Sequence, residues 1–194
     1  MSTPQRFRDE DVVGEGGLLL RALAVDDVPR IAQACADPLT QRWLPIPRPY
    51  GLDDARLFVT RTAPQMHSSG RGIARAIDVD GRFAGAIDLR GPRWRAGSVE
   101  IGYWLHPDAR GRGLAGRAAH LLATWAMANN GFHRVEARVA TDNEASLRTL
   151  RGVGFVDEGV LRDAGYTHDG RVDLAVLSLV RGDVDWPRGE PIHP

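Results

Sequence analysis

Val99-Glu100-Ile101-Gly102-Tyr103-Trp104-Leu105-His106-Pro107 runs on into Arg110-Gly111-Arg112-Gly113-Leu114-Ala115, and the reading of this stretch decides the fold. Val99 to Leu105 is rich in apolar and aromatic side chains and predicts a strand. A glycine-rich turn follows. Gly113 to Asn130 then predicts a long Ala- and Leu-rich helix, closed by Asn129, Asn130 and Gly131. Glycines in such a turn let backbone N–H groups approach a phosphate closely. The helix N-terminus adds partial positive charge where a pyrophosphate would rest. Arg110 and Arg112 can add ionic contacts.

Two ligand classes compete for this turn. Gly111-Arg112-Gly113-Leu114-Ala115-Gly116 is literally G-x-G-x-x-G, the dinucleotide fingerprint. That fingerprint wants its first glycine at the strand end, whereas His106 to Arg110 separate Leu105 from Gly111. It also wants an acidic residue about 20 positions on, at the end of the next strand. Glu136 lies near that distance but opens its strand. A nicotinamide oxidoreductase, the reading this fingerprint would imply, therefore fits the turn poorly.

Working outward, Leu18 to Val25 predicts a first strand, and Asp26-Asp27 with Pro29 opens a helix carrying Ile31, Ala34 and Cys35 on its apolar face. Residues 36–50 contain Pro38, Pro45, Pro47 and Pro49 and read as an ordered loop, since each proline pushes its predecessor into an extended conformation. Asp53 or Asp54 caps a second helix reaching about Pro64 or beyond. Ile73 to Val79 and Phe83 to Leu89 flank Asp80-Gly81, a strong hairpin signal. Downstream come a strand (Val135 to Ala140), a helix (Asn143 to Val153) and a final hairpin (Phe155 to Leu161 with Val172 to Val180). The order β-α-α-β-β-β-α-β-α-β-β predicts an α/β (α+β) fold: a mixed, mostly antiparallel central sheet of about seven strands flanked by about four helices. Residues 1–16 read as a loose N-terminal arm, 17–182 as one domain, and 183–194 as a loose tail.

Composition narrows the chemistry. All 25 basic residues are Arg, so a Walker-A lysine, a Schiff-base lysine and a lysine general base are excluded. Those 25 charges balance 25 acidic residues, which leaves no long-range field for nucleic acid or an acidic membrane. Cys35 stands alone, excluding an internal disulfide, and reads as core filler. The six histidines lack metal-ligand spacing, so no metal is expected. Neither a secretory leader nor a stretch of roughly 20 apolar residues is visible, and the chain reads as cytoplasmic.

The segment Arg110-Gly111-Arg112-Gly113-Leu114-Ala115 matches the R/Q-x-x-G-x-G/A pattern of GNAT acetyltransferases. The Glu-Ile-Gly-Tyr-Trp-Leu strand before it resembles the RimJ/RimL-like branch, which acetylates protein N-termini and other amines. Asn143-Glu144-Ala145-Ser146, Gly154-Phe155 and Asp169-Gly170-Arg171-Val172-Asp173 resemble further elements of that branch, in the right order. The resemblance spans roughly residues 17–182.

The resemblance implies direct transfer of an acetyl group from acetyl-coenzyme A to an amine, without an acyl-enzyme. It implies that the backbone of Tyr103, Trp104 and Leu105 pairs with the pantetheine arm, and that Arg110 to Ala115 hold the phosphates. It also implies that Asn143 holds the arm, with Ser146 near the sulfur. Glu100 is the best carboxylate for a general base; a cross-strand ion pair is the competing role, and Asp163 and His168 are weaker candidates. Many family members place an acidic tyrosine where this chain has Leu150, which leaves Ser146 to protonate the leaving thiolate, or else leaves an acyl-coenzyme A-binding module without turnover. Arg42, Trp43, Arg48 and Tyr50, with Trp104, are the candidate acceptor wall. At pH 7 about one in seven α-amines is neutral, against about one in 2,500 lysine amines, so an enzyme without a strong base favours an α-amine of a protein N-terminus, peptide or small molecule. The sequence leaves a homodimer open.

Overall fold

The computed structural model describes residues 5–184. Eight strands form one sheet: β1 (Val12–Val13), β2 (Leu18–Arg21), β3 (Gly72–Val79), β4 (Arg82–Arg93), β5 (Ser98–Leu105), β6 (Arg134–Ala140), β7 (Val156–Thr167) and β8 (Gly170–Val180). Their order is β1-β2-β3-β4-β5-β6-β8-β7. Every neighbouring pair is antiparallel except β5 with β6. Helices are α1 (Val28–Ala36), α2 (Pro38–Trp43), α3 (Leu52–Leu57), α4 (Ala63–Ser68), α5 (Leu114–Asn130) and α6 (Glu144–Arg151). No helix among the described residues is long and apolar enough to cross a membrane.

The sheet takes the mixed, mostly antiparallel form that the element order predicts. The turn between β3 and β4 follows from Asp80 and Gly81, both at positive φ (52° and 81°), with Val79 opposite Arg82. That is the geometry a two-residue hairpin demands. One face of the sheet is covered by α5 and α6, where Leu114, Leu122 and Leu150 meet Ile87, Ile101 and Leu177. On the other face, Ile31, Cys35 and Ala55 pack on Ala76, Phe83 and Ala86. At about 25 cal/mol per Å² of apolar surface, these two layers are the main source of stability.

Three expectations need correction. Residues 5–16 are not a loose arm: Phe7 is 3% exposed, stacks on Phe132 and meets Trp94 at a tilt, while Val12–Val13 adds the eighth strand. One aromatic in a polar segment carries no period, so only the tertiary hole that it fills reveals it. Residues 36–50 are not all loop. Asp37 caps α2 by accepting from the N–H groups of Leu39 and Thr40, and Pro38 sits in its first turn. The second predicted helix does run beyond Pro64, as its reading allows, and ends at Ser68 by way of a π-helical stretch over Phe58–Thr62. Pro64 has no N–H to give to the preceding turn, and a widened turn accommodates its ring. The last hairpin also runs on, β7 reaching Thr167 through irregularities near Gly159 and Asp163, the latter at φ 56°. At the C-terminal end, Arg181–Asp183 form one 3-10 turn and Val184 packs on the core; the rest of the expected tail lies outside the described residues.

Candidate active site

The site begins where β5 and β6 part. Their pairing covers only Ser98–Arg134, Val99–Val135 and Glu100–Glu136. Beyond it, β5 stays paired to β4 up to Leu105, and β6 to β8 up to Ala140. The sheet therefore holds a wedge-shaped gap, open toward Leu105, whose β5 wall is the partly exposed run Gly102 to Leu105. Strand edges that face a gap present unpaired N–H and C=O groups to a ligand.

At the mouth of the wedge lies the glycine turn. Gly111 and Gly113 adopt φ 75° and 68°, and a Cβ at either would meet no atom within 4 Å. Space and backbone conformation both fit a bound pyrophosphate. Gly113 is the N-cap of α5, whose first N–H groups have no helical partner. Arg112 is exposed beside them. Arg110 is used differently. Its Nη2 donates to Asp37 Oδ2 (2.7 Å), Thr40 Oγ1 (2.8 Å) and the Leu105 carbonyl (3.3 Å), which ties the turn to the N-terminus of α2. Burial alone would raise the Asp37 carboxyl, but Arg110 and the capped N–H groups hold it below its ordinary value. Gly116, in the first turn of α5, lets α6 and the residues after it approach: a Cβ there would lie 3.5 Å from Thr149 Cγ2 of α6 and 2.9 Å from Val153 Cγ1.

Side chains alternate across β5, and the two faces of the wedge differ accordingly. On the face of α5 and α6, the Tyr103 hydroxyl lies 2.9 Å from Ser146 Oγ. Burial raises the Tyr103 phenol, while Ser146 opposes that shift. Asn143 caps α6, its Oδ1 accepting the Ser146 N–H at 3.2 Å. Leu150 is fully buried, so α6 offers the wedge Ser146. The sequence reading had taken only the backbone of Tyr103 into the site and missed its hydroxyl, whose partner stands 43 residues away.

On the opposite face stand Trp104, Gly102 and Glu100, with Ala86, Asp88 and Arg90 of β4 as their cross-strand neighbours. Trp104 packs near Phe83, ring centres 5.9 Å apart. Glu100 is held in an ion-pair chain: Arg90 donates to its Oε1 through Nε (3.1 Å) and Nη2 (2.9 Å), and Arg138 Nε lies 3.6 Å from Oε2. These groups, with Gly91, Arg93 and Glu136, line a hollow of about 280 Å³ at the closed end of the wedge. Asp88 is less well held. Its Oδ1 is shut off from solvent and accepts no hydrogen bond from any described residue; the nearest cation, Arg90 Nη1, is 3.5 Å away. Burial pushes its carboxyl up to about 6, with Arg90 opposing and Glu100 reinforcing. The sequence did carry a sign of it, an acid inside the apolar run Phe83 to Leu89.

The candidate acceptor wall is only partly brought together. Tyr50 and Trp104 pack on the same apolar cluster. Arg42 lies over the Trp43 ring at 4.6 Å, and Arg48 donates to Gln41, which also holds the Cys35 and Pro47 carbonyls. The tip of the β7–β8 hairpin reaches this segment: His168 Nε2–H donates to the Ile46 carbonyl at 2.9 Å. Cys35 is no nucleophile, since burial pushes its thiol up to about 12. Among the described residues no group of His, Cys, Asp and Glu could hold a metal.

A split mixed sheet with a glycine-rich helix start at the mouth of the split defines an acyl-coenzyme A-dependent acyltransferase. A family model, the GNAT acetyltransferase domain, matches residues 17–156. The chain belongs to this family, and it transfers an acetyl group from acetyl-coenzyme A to an amine. It is 27% identical over 167 residues to the putative ribosomal N-acetyltransferase YdaF of Bacillus subtilis, covering 84% of this chain and 91% of that one. Among solved structures, RimJ of Mycobacterium smegmatis in complex with a CoA-disulfide superposes with a TM-score of 0.81 at 20% identity, covering 91% of this chain and 88% of that one. The ribosomal L7/L12 α-N-protein acetyltransferase RimL in complex with coenzyme A gives 0.80 at 22% identity, with 88% and 98% covered.

Proposed function

We propose that the acceptor is the α-amine of a protein or peptide N-terminus. The observation that carries this reading is the open face of the wedge, apolar except for one arginine. From Gly102 across β6 to β8, that face bears Arg138, Ala140, Leu174 and Val176, none of them buried. An extended N-terminus can enter such a trough between the residue 44–50 segment and the β7–β8 hairpin, which His168 joins. Relatives named for acetylating ribosomal proteins support a protein acceptor.

Acetyl-coenzyme A supplies a thioester, an acyl group already activated toward an amine. The roles of the chain's residues in this reading follow from their places. Backbone N–H groups at Gly111 to Ala115, with Arg112, hold phosphate, and Arg110 keeps that turn in place. The β5 edge at Tyr103 to Leu105 orients the arm and supplies donors to the thioester oxygen. Ser146 gives its hydroxyl proton to the thiolate while the Tyr103 O–H reprotonates it, and the proton lost by the attacking nitrogen restores the phenol. That pair of hydroxyls takes the place of the tyrosine absent at Leu150, and so favours turnover over a module that only binds.

Thiol release with acetyl-coenzyme A should be fast for peptides with a free N-terminus. It should be at least about 100-fold slower for the same peptides Nα-blocked and carrying an internal lysine, as the amine pKa gap requires. Equal rates on both would refute the α-amine reading.

A further inference from the structure

We infer that Asp88 is the general base that takes the proton from the acceptor amine, and that Glu100, held by two arginines, tunes it. This rests on the α-amine reading above. Asp88 faces the acceptor side of the sheet, opposite Gly102 in the β4–β5 register. Gly102 is the second β5 residue past the point where β6 departs. Having no side chain, it leaves room for the Arg90 guanidinium to lie over it, beside Asp88. Any larger residue at 102 would collide with Arg90: a Cβ would lie 2.7 Å from its Nη1. Gly102, Arg90 and Asp88 thus form one packed step beside the opening of the wedge.

The two carboxylates in this step are held differently. Glu100 accepts two hydrogen bonds from Arg90 and faces Arg138, so its oxygens are already engaged by cations. Asp88 Oδ1 has a lone pair with no donor. A buried acceptor left empty costs free energy and favours the protonated carboxyl, while the side chain keeps 29% of its surface exposed, and an amine reaches it there. The charged groups facing Asp88 are Arg90 from its own strand and Glu100 from β5, with Arg138 of β6 beyond Glu100; β3 places uncharged Ala74 opposite. Burial and Glu100 outweigh Arg90 and bring the carboxyl to about 6, so that it is ionised at neutral pH and still basic enough to accept a proton. Arg90 contributes in a second way, because a guanidinium beside an amine disfavours its ammonium form. In the step itself, one N–H bond of the ammonium breaks and an O–H bond forms on Asp88. The amine keeps the electron pair that goes on to form the bond to the acyl carbon.

Two measurements test this. The first needs no ligand. A carbon-13 titration of side-chain carboxyls in the free protein should show one carboxyl with a midpoint near 6, absent from Asp88→Asn and moved to lower pH in Glu100→Gln. The second is the pH profile of kcat/KM with acetyl-coenzyme A and an N-terminal peptide. The wild type should show an acid limb, Asp88→Asn should lose the limb and about 100-fold or more of kcat/KM, and Glu100→Gln should keep the limb, displaced to lower pH. Calorimetric affinity for acetyl-coenzyme A should be unchanged in Asp88→Asn. Turnover of Asp88→Asn within a few-fold of wild type, or loss of the limb in Glu100→Gln instead, would overturn the assignment and leave the acceptor reading standing. No turnover by the wild type on any free N-terminal peptide would overturn both.

Discussion

Asp88 and Glu158 show how single carboxylates pull this protein in opposite directions as pH changes. Asp88 titrates near 6 in the folded chain and near 3.9 when unfolded, so the folded state binds its proton more tightly. Stability is then lost on this account as pH rises from about 4 to about 6, and the loss is complete above that. Asp88→Asn should therefore unfold at higher urea than wild type at pH 8, with the difference gone below pH 4. Glu158 has the reverse sign. Arg134 and Ser178 hold it down to about 2, so its contribution is present above the ordinary glutamate range and fades toward pH 2. Glu158→Gln should lower the urea midpoint at pH 7 and match wild type at pH 2; the opposite order for either variant would show that its carboxyl is differently placed. A destabilising group kept at a wedge beside a catalytic strand fits a residue retained for activity over stability. Neither shift could be read from the sequence, because each depends on neighbours from other strands. Gly111, Gly113 and Ser146 were legible, because a helix start and a capping asparagine are local.

At the scale of elements, the legible parts are those whose signals lie within a few residues. Asp80-Gly81 specifies its hairpin, Gly131 stops α5, and Asn143 starts α6. Asp37-Pro38 carries an equally local signal for α2, masked by the extended-chain signal of the prolines at 45, 47 and 49. The β5–β6 split is different in kind, since it needs β6, paired to β8 along its whole length, to part from β5 after Glu136, an outcome of long-range pairing. Within this frame α6 is the element that presents Ser146, and its first turn hangs on one side-chain cap. Asn143→Ala should cost about 1 kcal/mol in urea denaturation. It should also weaken acetyl-coenzyme A binding in calorimetry, since the cap fixes the turn that carries Ser146. Lost stability with unchanged affinity would separate the cap from the site.

For the molecule as a whole, the wedge and the glycine turn exist only in the folded state. The turn is anchored to α2 through Arg110, the β5 wall belongs to the central sheet, and α6 is packed on α5 through Gly116. A ligand that spans all three binds the native chain and not the unfolded one, and must raise its melting temperature. At acetyl-coenzyme A concentrations about 100 times Kd, linkage gives about 2.7 kcal/mol. For a domain of this size that corresponds to a rise of about 5–10 °C. NAD, whose fingerprint the turn imitates in letters but not in distance from the strand, should give no rise. Gly113→Glu sets a side chain at φ 68° and a carboxylate where phosphate would lie. Its melting temperature should be lower than wild type and indifferent to acetyl-coenzyme A. A full ligand-induced rise in Gly113→Glu would move the phosphates away from the start of α5, and a rise with NAD would reopen the dinucleotide reading of Gly111 to Gly116.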